Sequence, residues 1–155
     1  MPASNPLIGQ TAVEVVELLR VGAITPHDCL DALEARIAEV DKAVNALPTL
    51  CFDRARKAAD AVMATPAKER GVLAGLPVAI KDLTEVEGVR TTHGSPIFAD
   101  NISAFSDILV ERPEANGGVF GLRLDAHYLI YGSETRRYQL LPLVDVDVTT
   151  NNQIA

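Results

Sequence analysis

The stretch Gly75-Leu-Pro-Val-Ala-Ile-Lys81-Asp82 constrains the fold of this chain more than any other. A short apolar run broken by glycine and proline suits a buried strand around Pro77 to Ile80, and a buried strand needs neighbours to cover it. The run ends in Lys81, so a cationic head falls where the strand gives way to a loop. Scaffolds commonly aim catalytic groups into a cleft from such positions. A lysine drawn into apolar surroundings loses hydration of its charged form, its pKa falls, and it can serve as a neutral base. Most lysines are solvated surface groups, however, so this segment alone carries little functional weight.

The residues ahead of the strand read as helix. Thr11 and Glu14 have capping-box spacing, and Ala12, Val15, Val16 and Leu19 then recur as one buried helical face, which Gly22 closes. Thr25, Pro26 and Asp28 open a second helix, with an apolar seam of Leu30, Leu33, Ile37, Val40 and Val44 against Asp31, Glu34 and Glu39. Ala55, Ala58, Ala59 and Val62 point to a third, ending before Thr65-Pro66, because proline disfavours helical geometry in the residue ahead of it. Residues 64 to 71 read as a polar connection. Ser106 and Asp107 start a further helix through Ile108, Leu109 and Val110, which Pro113 should shorten or kink at a cost of about 3 kcal/mol.

At 155 residues, 48% hydrophobic and 23% charged, the chain fits one domain with a modest core. Its net charge of −7 would repel a phosphate backbone, which argues against nucleic acid and anionic membrane surfaces as partners. Cys29 and Cys51 are far apart, without CxxC spacing or a Cys/His cluster, so neither a zinc site nor a disulfide framework is expected. No apolar run approaches the roughly 20 residues of a membrane span, and the N-terminus lacks a leader pattern. These features together point to a cytoplasmic protein.

Taken together, Gly75 to Asp82 and the later segment Gly88-Val-Arg-Thr91-Thr92-His93-Gly94-Ser95 resemble the start of the amidase signature family. Arg36-Ile37 and Val44-Asn45-Ala46 agree with that family's upstream pattern, and the resemblance covers roughly residues 7 to 119. It implies an α/β fold, N-terminal helices followed by the first strands of a mixed sheet, incomplete in this chain. It implies hydrolysis of carbon–nitrogen amide bonds through an acyl-serine intermediate and a Ser-cis-Ser-Lys triad. Lys81 inherits the role of general base by position, and the substrate of the complete enzyme is a small-molecule amide. No metal or organic cofactor is implied.

The serines are where the family pattern breaks. Nothing here resembles Gly-Gly-Ser-Ser-Gly-Gly, whose backbone N–H groups form an oxyanion hole. Ser95 belongs to a segment that the family uses structurally, and Ser133 lies outside the resemblance. There is no GxSxG elbow, HExxH helix or phosphate loop. Asp82 opposes the base role of Lys81 if its carboxylate approaches the ammonium, since an opposite charge favours the charged form. His27, His93 and His127 are scattered, and only His93, inside the Thr91 to Ser95 segment, lies near the lysine in sequence.

Beyond Gly117-Gly118-Val119 the composition changes. Residues 1 to 119 hold 19 alanines and residues 120 to 155 only 2, while all three tyrosines and none of the four lysines fall in the later part. This divides the chain into an amidase-like part, 1–119, and an unmatched tail, 120–155, whose sequence fits translation in a shifted frame or a natural short form. Tyr128 to Tyr131 and Val144 to Val148 read as strands within that tail. The resemblance leaves two alternatives to a stand-alone amidase: a fragment of the amidase-like subunit of a tRNA-dependent amidotransferase, or a non-catalytic interaction module or remnant. Histidine at position 93, where that subunit often carries cysteine, leans towards the stand-alone enzyme. An incomplete sheet also leaves strand edges through which copies would self-associate.

Overall fold

In the computed structural model, which describes residues 5–44 and 46–124, local sequence signals account for most of the helix boundaries. Helix α1, Ala12–Val21, is capped by Thr11: its hydroxyl accepts the Glu14 N–H at 3.3 Å, and the Glu14 carboxylate accepts the Thr11 N–H at 2.7 Å. Helix α2, Pro26–Val44, opens the same way with an aspartate, the Asp28 carboxylate accepting the Thr25 N–H at 2.7 Å and the Thr25 hydroxyl accepting the Asp28 N–H at 3.1 Å. Leu30, Leu33 and Ile37 of its seam are buried, and Val40 packs beside them.

Between α2 and the third helix lies β1, Thr49–Leu50, which the sequence did not announce. Helix α3, Phe52–Ala64, ends before Thr65-Pro66 as expected. Strand β2 is Pro77–Lys81. Helix α4, Ile108–Ala115, starts where the Asp107 carboxylate accepts the Leu109 N–H at 2.7 Å. It runs through Pro113 but ends two residues later, so the proline sits in the last turn of a short helix. The Pro113 carbonyl takes the Gly118 N–H at 2.8 Å, and the chain turns directly into β3, Val119–Leu124.

The sheet has the order β1-β3-β2. β1 runs antiparallel to β3, pairing Thr49 with Arg123, and β2 runs parallel to it, from Pro77 opposite Val119 to Lys81 opposite Leu124. The mixed α/β architecture expected from the sequence is therefore present. A parallel pair cannot be joined by a tight turn, and the crossover here occupies residues 82–118, including α4.

Val119 and Phe120, adjacent in β3, face opposite ways. Val119 packs with Leu30, Ala55 and Ala59 of α2 and α3, whereas Phe120 packs with Ile80, Val86, Val89 and Val110. Both faces of the central strand are thus covered. That strand crosses Val119, the position where composition changes, and runs to Leu124. The strands expected at 128–131 and 144–148 lie outside the described residues.

Candidate active site

The approach to Lys81 is fixed by a glycine that nothing else can replace. Gly75 has φ +105°, and a Cβ there would meet Pro26 Cγ at 2.4 Å, so the start of α2 and the entry to β2 touch backbone against ring. The Gly75 N–H donates to the Gly117 carbonyl at 2.7 Å, and the Val119 N–H to the Leu76 carbonyl at 2.8 Å, which sets β2 beside β3. Pro77 occupies the first position of β2, where a missing N–H is best tolerated. Lys81 is the last residue of the strand and is half-buried. Among the described residues it takes part in no ion pair.

Asp82, next in sequence, is buried and points elsewhere. Its carboxylate accepts the Thr92 N–H at 3.0 Å, the Thr92 hydroxyl, and Arg123 Nη2 at 2.8 Å. Burial alone would raise the Asp82 pKa, but the hydrogen bonds from Thr92 and Arg123 and the charge of Arg123 outweigh it and hold the carboxyl below its ordinary value. The Asp82 carbonyl also accepts the His93 N–H at 3.0 Å. The two segments singled out in the sequence, one ending in Lys81-Asp82 and the other running Thr91 to Ser95, are therefore joined to each other through Asp82.

Arg123 was not anticipated. It is fully buried in β3, donates to the Thr84 carbonyl at 2.9 Å and the Thr91 hydroxyl at 3.0 Å, and ties both loop segments to the central strand. A signal was available: an arginine between Leu122 and Leu124 in an otherwise apolar strand requires a buried anion, and Asp82 is the anion at the end of the neighbouring strand.

The remaining candidates have structural work. Ser95 caps the short 3-10 turn Pro96–Phe98, its hydroxyl accepting the Ile97 N–H at 3.3 Å. His93, at φ 52°, contacts Glu85 at 3.0 Å and stacks edge-on against Phe98. Ser133 and His127 lie outside the described residues. Cys29 and Cys51 are both free thiols; burial pushes Cys29 up to about 11 and Cys51 upward as well, so neither is an activated nucleophile. Among the described residues no cluster of three or more His, Cys, Asp or Glu side chains is placed to hold a metal ion, and no helix is long and apolar enough to cross a membrane. A separate surface cavity of about 420 Å³ opens between β1, the start of α3 and residues 87–90, and Lys81 does not line it.

Helices on a mixed sheet, with a half-buried lysine ending a parallel strand, make an α/β unit of the class that the amidase resemblance implies. The sequence model of the Amidase family matches residues 28–152, and the chain belongs to that family. It is 37% identical over 122 residues to a glutamyl-tRNA(Gln) amidotransferase subunit from Anaeromyxobacter dehalogenans, covering 77% of this chain and 25% of that protein. It is 32% identical over 114 residues to an acylamidase of Rhodococcus erythropolis, covering 71% and 24% respectively. Among solved structures, a chain of a vestigial protein complex that reveals the evolutionary origins of an s-triazine catabolic enzyme superposes with a TM-score of 0.69 at 34% identity. That match covers 74% of this chain and 26% of the other. The chain thus spans about a quarter of the length of the relatives it matches. The family match crosses Val119.

Proposed function

We propose that this chain provides the lysine-bearing N-terminal part of an amide hydrolase, with Lys81 as the general base of a Ser-cis-Ser-Lys triad. The observation that carries this reading is the placement of Lys81: it ends a buried parallel strand, half-shielded from water, while the neighbouring carboxylate is engaged by Arg123 and Thr92. A base in this relay takes a proton through one serine and so activates the other, and it needs an uncharged amine to do so. The sequence supplies the lysine and not the Gly-Gly-Ser-Ser-Gly-Gly segment, so the 155-residue chain is inert by itself towards simple aliphatic and aromatic amides. The substrate is a small-molecule amide of the completed enzyme.

The test places residues 28–124 in the corresponding position of a complete family amidase and compares it with the same protein carrying Lys81→Met. Hydrolysis abolished by the substitution is the expected result, and undiminished turnover would rule out Lys81 as the base.

A second reading, a fragment of an amidotransferase subunit, is favoured by the 37% identity to one such protein. Co-purification with the other components of that complex would support it. A non-catalytic module is the third, and an inert, folded chain that captures a defined partner would favour it.

On the first reading the amidase-like unit extends at least through Leu124, because β3 is the strand on which β1 and β2 both pair. The shifted-frame account of the following residues is checked on the coding DNA. A Gly-Lys-Thr-Asn segment and a Gly-Gly-Ser-Ser-Gly-Gly segment in another frame downstream of Val119 would support it, and their absence would sink it. The net charge of −7 and the two free thiols support a cytoplasmic protein without nucleic-acid partners.

A further inference from the structure

We infer that Arg123 is a positioning residue whose buried ion pair with Asp82 keeps that carboxylate from acting as the counter-ion of Lys81. The inference rests on the reading of Lys81 as a base. It addresses a difficulty that reading creates, since a base that must lose its proton is placed directly before an aspartate.

Four observations carry it. Asp82 and Arg123 are 2.8 Å apart, with side chains 5% and 0% exposed, so the pair lies where water screens little. Every strong donor to the Asp82 carboxylate comes from the loop or from β3: the Thr92 N–H, the Thr92 hydroxyl and Arg123 Nη2. Arg123 is in turn held by the Thr84 carbonyl and the Thr91 hydroxyl, so its guanidinium cannot swing away without leaving those acceptors unpaired. Lys81, one residue before Asp82, takes no part in this network. The guanidinium cancels the field of a carboxylate that would otherwise favour the ammonium form of the lysine beside it.

The pairing also fits the register of β3 beyond the irregularity between Val78 and Ala79, where Gly121 is the extra residue. Arg123 stands opposite Ile80, and Leu124 opposite Lys81. A shift of one residue would carry the guanidinium to the other side of the strand and leave Asp82 buried without a cation.

The charge state of Lys81 is read directly by acylation, because only the free amine reacts. Wild type, Arg123→Met and the double variant Arg123→Met/Asp82→Asn are treated with acetic anhydride across pH, and modification is followed residue by residue by mass spectrometry. Lys42, Lys57 and Lys68 are exposed and serve as internal references within the same molecules. Arg123→Met is expected to slow Lys81 acylation about tenfold relative to the references, one pH unit of displacement. The double variant restores the wild-type ratio, since both charges are gone. An unchanged ratio in folded Arg123→Met overturns the inference.

Where Arg123→Met fails to fold, Asp82→Asn decides against wild type, because it leaves the guanidinium without its anion: a Lys81 ratio raised about tenfold supports the mutual cancellation, and an unchanged ratio overturns it. None of these readouts depends on turnover, so a failed base assignment appears only in the Lys81→Met comparison and a failed shielding role only here.

Discussion

Asp82 shows how sequence adjacency misleads at the scale of a single residue. Beside Lys81 in the chain it reads as the lysine's counter-ion, yet its carboxylate is held by Thr92 and Arg123. Its folded pKa is held below the ordinary value. A carboxyl of this kind adds stability that is present above the unfolded pKa and is lost as pH falls through about 4 and below. Asp82→Asn is therefore expected to destabilise the chain by about 3–5 kcal/mol at neutral pH, because it leaves the Arg123 guanidinium buried without an anion. The gap between wild type and variant should narrow as pH falls from about 4 towards 2. Urea unfolding at a series of pH values measures both, and a gap independent of pH would contradict the assignment of the carboxylate as the charged partner.

At the scale of the element, what was legible followed from locality. The caps at Thr11, at Thr25 with Asp28, and at Asp107 act within three residues of themselves, and the buried seams of α1, α2 and α3 repeat at helical spacing. β3 was missed for the opposite reason. Its partners lie far away in sequence, Gly121 interrupts its apolar run, and Arg123 reads as a surface charge until Asp82 is known to face it. β1 is two residues long and has no pattern to detect. The two motifs were legible to the same extent: the segment ending in Lys81-Asp82 and the Thr91 to Ser95 segment were visible, but the arginine that joins Asp82 to Thr91 was not. Gly121 itself has a packing reason. A Cβ there would lie 3.3 Å from the Ala55 Cβ, so α3 approaches β3 through small residues on both sides. Ala55, fully buried, has no room to grow. Ala55→Leu should cost about 1–3 kcal/mol by overpacking, while Ala64→Leu at the exposed end of α3 should be close to neutral. Thermal unfolding of the two variants checks the contrast, and equal effects would show that the α3–β3 contact is looser than this geometry requires.

At the scale of the whole molecule, the described residues form a core and also present a run of exposed apolar side chains. Ile97 is 87% exposed, and Phe98, Ile102, Phe105, Ile108 and Leu109 are exposed with it, all within the crossover between β2 and β3. Scattered exposed apolar groups are ordinary, but this many in one segment is what an interaction surface or an aggregation liability presents. Among the described strands, β2 also pairs on one side only. A free edge of this length, without a charge before Lys81, is a template for another strand. The net charge of −7 opposes close approach of two copies and is screened by salt, whereas apolar burial is not. Self-association should therefore strengthen as ionic strength rises. Sedimentation velocity at low and high salt measures this, together with the double variant Ile97→Lys/Leu109→Lys. Wild type is expected to form larger species at high salt and the variant to remain monomeric, since the substitutions remove apolar area from the segment. Association that weakens with salt would instead assign contact between copies to ion pairs, and association unaffected by the substitutions would move it from this segment to the edge of β2.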